Sequence, residues 1–158
     1  MASVSCQKPA PKQYFESSTE IDVCKKAIEA YLTQDWEMYR SCYADTAKIW
    51  HNKYFAKYPP QNIDDIISNV KGPLASSVYY RYEGVIWEMI IQNGGQNWVH
   101  FWGNWVGKMN DNSDEVETMV HVAYSLENGK IVMEAGFWDN LPLYLANQKL
   151  KKNNEQIE

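Results

Sequence analysis

The residues of this chain best suited to moving protons are an acid that ends an apolar strand, histidines near strand ends and tyrosines between short helices. Asp139 follows "KIVMEAGFW" and precedes "NLPLYLANQ". A carboxyl at the rim of an apolar face holds its proton more readily than one in water, the setting a general acid or base needs near neutral pH. The same aspartate is equally placed to cap the helix that follows. His51 ends "AKIWH". It shuttles a proton if it points into a pocket, and is a rim histidine bonded to backbone if it does not. Tyr39 and Tyr43 are candidate assistants.

The stretch "NWVHFWGNW", residues 97–105, carries three tryptophans, a phenylalanine and His100. On a strand, Trp98, His100, Trp102 and Asn104 fall on one side and Val99, Phe101 and Trp105 on the other, so both faces are apolar. One face then walls a pocket and the other is core or meets a second subunit; which is which stays open. Candidate pocket walls are Tyr39, Tyr43, Trp87, Trp102, His100, Tyr124 and Phe137. No spacing joins His51, His100 and His121 into a metal site. Arg81, Glu83 and Glu88 read as surface or interface charges.

These side chains need elements to hold them. "SSTEID" starts a helix, with Ser17 and Glu20 spaced as a capping box. Ile21, Cys24, Ala27, Ile28, Tyr31 and Leu32 give it one apolar face. Asp35 caps a second, short helix, "WEMYRSCY". Residues 47–52 form a strand, and Ile63 to about Val70 a helix interrupted by Gly72-Pro73. From Val78 the period becomes 2, giving strands over 79–92, 97–109, 115–127 and 130–138. The predicted architecture is α+β, with helices on one face of a curved antiparallel sheet.

Asn128-Gly129 between the last two strands is a two-residue hairpin signal. Counting from it, Glu127 faces Lys130. Thr118, Val120, Val122, Tyr124 and Leu126 then share an apolar face with Ile131, Met133, Ala135, Phe137 and Asp139. Met119, His121, Ala123, Ser125, Val132, Glu134, Gly136 and Trp138 form a mixed opposite face. A bulge at Gly136 would exchange the faces beyond it.

Two stretches carry a family resemblance. "QDWEMYRSCYADTAKIWHN", residues 34–52, resembles the opening of SnoaL-like proteins of the nuclear transport factor 2-like superfamily. "HVAYSLENGKIVMEAGFWDNLPLYLANQ", residues 121–148, resembles their ending. The resemblance implies a cone-shaped, cystatin-like barrel, a bent antiparallel sheet wrapped around the first long helix with a pocket between them. It also implies dimers through the outer sheet face, and either acid–base chemistry (isomerisation, cyclisation, hydration) or ligand binding without chemistry. Asp139 is the nearest match to the acid that follows the Gly-Lys-Ile hairpin. A second acid or histidine five residues after the isoleucine falls on Gly136 and is missing, while His121 matches the strand histidine.

The chain has 158 residues, enough for one domain that buries ~70% of its unfolded surface. Residues 1–16 read as a flexible arm, 17–148 as a single domain and 149–158 as a charged tail. Net charge is −5 and the only arginines are Arg40 and Arg81, which speaks against a nucleic-acid partner. No run of apolar residues is long enough to span a membrane. Three cysteines, an odd number with no close spacing, suggest neither zinc nor a disulfide framework. "SVSC" at residues 3–6 is similar to the end of a lipoprotein signal, which makes Cys6 a lipidation candidate; the alternative is a cytoplasmic N-terminus. No cofactor is expected, since there is no Gly-x-Gly-x-x-Gly and no phosphate loop. The functional expectation is a small, largely hydrophobic ligand in an apolar pocket, with acid–base catalysis by Asp139 and His51. The alternative is a non-catalytic binding or scaffold module of the cell envelope.

Overall fold

A computed structural model describes residues 13–75, 77–92, 94–109 and 114–155. Helix α1, Thr19–Thr33, begins at Ser18, whose Oγ accepts the Ile21 amide at 3.1 Å. The cap thus falls one residue later than the Ser17 expected. The inward stripe is Ile21, Cys24, Ala27 and Ala30, and the small side chains let the helix lie close to the sheet. Gln34 ends it in the left-handed region, φ 56°. Helix α2, Trp36–Ser41, is capped by Asp35 as expected, through the Met38 amide at 2.9 Å.

Helix α3 spans Ile63–Ala75 and runs through Gly72-Pro73 rather than stopping before them. Pro73 lies so near the C-terminus that its missing N–H removes little helix. At the other end Asn62 and Asp65 cap each other's amides reciprocally.

Among the described residues six strands form one curved sheet. Strand β1 is Tyr14–Phe15, β2 Tyr43–His51, β3 Tyr79–Ile91, β4 Asn97–Lys108, β5 Glu115–Glu127 and β6 Lys130–Trp138. Their order is β1-β3-β4-β5-β6-β2, so the sheet has two edges and does not close into a barrel. Four pairings are antiparallel, but β2 lies parallel to β6, with His51 opposite Gly136. The sheet is therefore mixed, not antiparallel throughout. Helix α4, Leu141–Glu155, continues beyond the short helix expected at residues 140–148 and takes in much of the presumed tail. Tyr14 and Phe15, inside the presumed arm, pair with Ile90 and Met89.

The β5–β6 turn is the one the sequence announces. Asn128 and Gly129 both have positive φ, and Glu127 faces Lys130. After Leu126 faces Ile131, however, Ser125 faces Met133. Val132 is an extra residue, a β-bulge, and every residue of β6 beyond it changes face. Glu134, Gly136 and Trp138 thereby join Val120, Val122 and Tyr124 on the inner face.

Candidate functional site

A cavity of about 390 Å³ lies between the inner face of the sheet and the helices. Its apolar wall includes Ile66, Val70, Leu74, Val120, Val122 and Leu143, with rings from Tyr31, Tyr82, Trp105 and Trp138. Polar groups are few: Glu134, His51 and Tyr39, then Thr118, Ser77 and the carboxamides of Asn69, Asn140 and Asn147. Among the described residues no Lys or Arg lines it, so none of them offers an anionic ligand a cation.

Glu134 is the cavity's acid. It is 3% exposed, and its carboxylate is met on both oxygens. His51 Nε2 lies 2.6 Å from Oε1, and the Tyr43 hydroxyl donates to Oε2. The Tyr43 and Tyr39 hydroxyls are hydrogen-bonded at 3.1 Å. Since Tyr43 has one proton and gives it to the carboxylate, Tyr39 is the donor in that second bond. Burial, reinforced by the nearby Glu134 charge, holds both tyrosines well above the usual phenol value, so they are neutral donors. A buried carboxylate is tolerated only with such partners.

The bulge and one glycine assemble this group. The parallel β2–β6 pairing sets His51 beside Gly136, and a methyl there would sit 3.1 Å from His51 Cδ2 and 2.8 Å from Trp138 Cζ3. Only a residue without Cβ leaves room for the imidazole. Its ring packs on the Trp138 indole with centroids 4.9 Å apart. Asn52, φ 52°, closes the strand end by donating its amide to the Gly136 carbonyl and accepting the Trp138 amide on Oδ1.

Of the sequence candidates, His51, Tyr39 and Tyr124 line the cavity, and Tyr43 stands behind Glu134. Asp139 does not belong to it. That residue is exposed beyond the end of β6, and its Oδ1 accepts the Leu141 amide at 2.8 Å, the helix-capping role. Trp87 shares Phe101's face but packs on that ring, centroids 4.7 Å apart, outside the cavity. His100, Trp102 and Phe137 lie on the outer face. Phe137 gets there because of the Val132 bulge, opposite His121. On that face the Trp102 indole stacks on His121 at 3.9 Å, and His100 Nδ1 is 3.1 Å from His121 Nε2. Cys6 lies outside the described residues. Sequence reasoning missed Glu134 because an unbulged count puts it on the mixed face. The visible signal was an acid two residues before a glycine in an otherwise apolar strand.

An acid and an imidazole in contact, in an apolar hollow with phenol donors behind, are groups of the kind that can pass a proton. No family model and no curated protein matches the chain. Solved structures do match. An NTF2-like protein of unknown function from Burkholderia pseudomallei K96243 superposes with a TM-score of 0.63 at 14% identity, over 82% of this chain and 98% of that one. A Shewanella putrefaciens CN-32 protein assigned as a SnoaL-like polyketide cyclase gives 0.61 at 14%, over 85% and 99%. An epoxide hydrolase of the LEH-like type from M. tuberculosis gives 0.57 at 10%, over 84% and 91%. At these identities the likeness is one of fold.

Proposed function

We propose that this chain, which has the SnoaL-like fold of the nuclear transport factor 2-like superfamily, binds a small, uncharged, largely apolar molecule and acts on it by acid–base chemistry. The observation that carries the reading is Glu134: a buried carboxylate on the wall of an apolar cavity, in contact with His51 and Tyr43. An ionisable group confined with apolar walls serves chemistry better than cohesion, because a hydrophobic residue there would stabilise the fold as well or better. Glu134 takes the proton, His51 orients the carboxylate and stabilises its charge, and the apolar wall excludes water. The acid is Glu134 in place of Asp139.

Three solved proteins with this fold carry names that include a cyclase, an epoxide hydrolase and an isomerase. The reaction class drawn from that range for this chain is proton abstraction from carbon next to a carbonyl. The test is hydrogen–deuterium exchange at the α-carbon of a neutral apolar ketone. Glu134-dependent acceleration is the expected result, and wild-type protein no better than buffer contradicts it.

We also infer a homodimer through the outer sheet face. Ile86, Trp102, Met119 and Phe137 are exposed there around the stacked histidines, with Glu88, Asn104 and Glu117 around them. An apolar centre within a polar rim is the anatomy of a protein–protein interface.

A further inference from the structure

Strand pairing brings one set of strand ends together. Tyr79 faces Lys108, Lys108 faces Glu115 and Val120 faces Trp138, while the parallel pairing sets His51 beside Gly136. The starts of β3 and β5 and the ends of β4, β6 and β2 therefore lie at one end of the sheet. Asn140 and Asn147, just before and within α4, and Asn69 of α3 line the cavity and are exposed, which puts its mouth between these two helices.

Two segments that leave this end carry apolar side chains into solvent. After β2, the loop 52–60 is tied down by Asn52, which bonds the Gly136 and Trp138 backbone, and by the buried Trp50, whose indole donates to the Tyr58 carbonyl at 2.8 Å. Tyr54 and Phe55 in this anchored loop are more than half exposed. After β6, α4 turns Leu143 toward the cavity and leaves Leu141, Tyr144 and Leu145 more than half exposed. Residues 52–61 and 140–154 together contain five lysines and no Asp or Glu. Among the described residues Lys53 and Lys57 have no carboxylate partner, and the Lys57 ammonium lies 5.2 Å from the Tyr58 ring centre. The acids of this end are engaged: Asp114 by Lys149, Glu115 by Arg81 and Tyr79, Asp139 by the Leu141 amide.

We propose that this end of the molecule docks on an anionic lipid bilayer, its rings and leucines in the headgroup layer and its lysines on the lipid phosphates, so that the cavity mouth opens onto the membrane. Tyrosine, phenylalanine and leucine with interspersed lysine are the side chains that settle at a membrane–water boundary. There the rings span the change in polarity and the ammonium groups reach the phosphates. The surface that lysines without acids among them recognise is an anionic one. A net charge of −5 repels the rest of the molecule from such a surface, so the attraction fixes which end approaches. A second copy in this place would set lysine against lysine. An apolar ligand concentrates in a bilayer, and the docked mouth faces that source. The docking itself does not depend on what Glu134 does.

The test is sedimentation of the protein with sucrose-loaded vesicles, of phosphatidylcholine alone and of phosphatidylcholine mixed with phosphatidylglycerol. Wild type is expected to sediment with the mixed vesicles and at least about 10-fold less with phosphatidylcholine alone. Two paired variants are compared, Leu141→Ser with Leu145→Ser, and Lys53→Gln with Lys57→Gln. All four side chains are exposed, so melting temperatures should stay at the wild-type value. Each pair should weaken binding to the mixed vesicles by about 10-fold. Glu134→Gln should bind as wild type does. Ketone exchange absent while vesicle binding is intact counts against the acid–base reading and leaves docking supported. No sedimentation with the mixed vesicles overturns the docking, as does binding that the leucine pair leaves unchanged, which is adsorption by charge alone. A wild type that ignores vesicles but falls in solution mass when the leucines are replaced would make this end a protein interface instead, and that too overturns the proposal.

Discussion

At the residue scale, the site depends on a few side chains whose partners are nearly exclusive. Gly136 is one of the tightest. Gly136→Ala drives a methyl into the His51 and Trp138 rings. It should cost about 1–3 kcal/mol by overpacking and separate the imidazole from Glu134, seen as a lowered melting temperature and a changed His51 ring resonance in NMR. A wild-type His51 spectrum would contradict the packing described. The outer histidines make a pH prediction. Burial lowers both His100 and His121 below the ordinary 6.5, and each imidazolium would repel the other. A depressed histidine contributes stability above its unfolded value and loses it as pH falls through that value toward the folded one. Melting temperature should therefore fall as pH drops below about 6.5, and the His100→Gln, His121→Gln double variant should flatten that slope. An unchanged slope would show that neither histidine titrates on unfolding.

At the scale of elements, most of the architecture was legible and its register was not. The limits of β3 to β6 followed from alternation, the Asn128-Gly129 turn from its two residues able to take positive φ, and the α2 cap from Asp35, whereas β2 begins at Tyr43, four residues before the strand expected at 47–52. The Val132 bulge was illegible, since an extra residue in an apolar run leaves the pattern Ile-Val-Met unchanged while exchanging the faces of all that follows. It moved Glu134 inward and Phe137 outward, so the expected acid and one expected wall residue were misplaced by one geometric event. The parallel β2–β6 pairing was equally hidden, as period 2 says nothing of direction. Deletion of Val132 tests the bulge directly. An unbulged β6 would turn Glu134 and Trp138 toward the outer face and bring Phe137 inward. The expected outcome is loss of cooperative unfolding, and a deletion variant with wild-type stability would rule the bulge out as the determinant of face.

For the molecule as a whole, helices and sheet enclose a hollow on one side and leave an apolar sheet face on the other. Both aspects of "NWVHFWGNW" follow: Phe101 and Trp105 are interior, while Trp102 and His100 belong to the outside. Met119 is 73% exposed, an unusual degree for a methionine on a long central strand. Met119→Asp combined with Phe137→Asp should convert a dimer to a monomer by sedimentation without loss of helix or sheet signal, and an unchanged mass would exclude this face as the interface. Helix α4 matters to the other side, since Leu143 and Asn147 close the cavity wall. The central claim concerns which carboxylate faces that cavity. It is tested most directly by comparing ketone α-hydrogen exchange in Glu134→Gln and Asp139→Asn. Glu134→Gln should lose at least about 100-fold while Asp139→Asn keeps wild-type exchange. Loss in Asp139→Asn with exchange preserved in Glu134→Gln would contradict the site described.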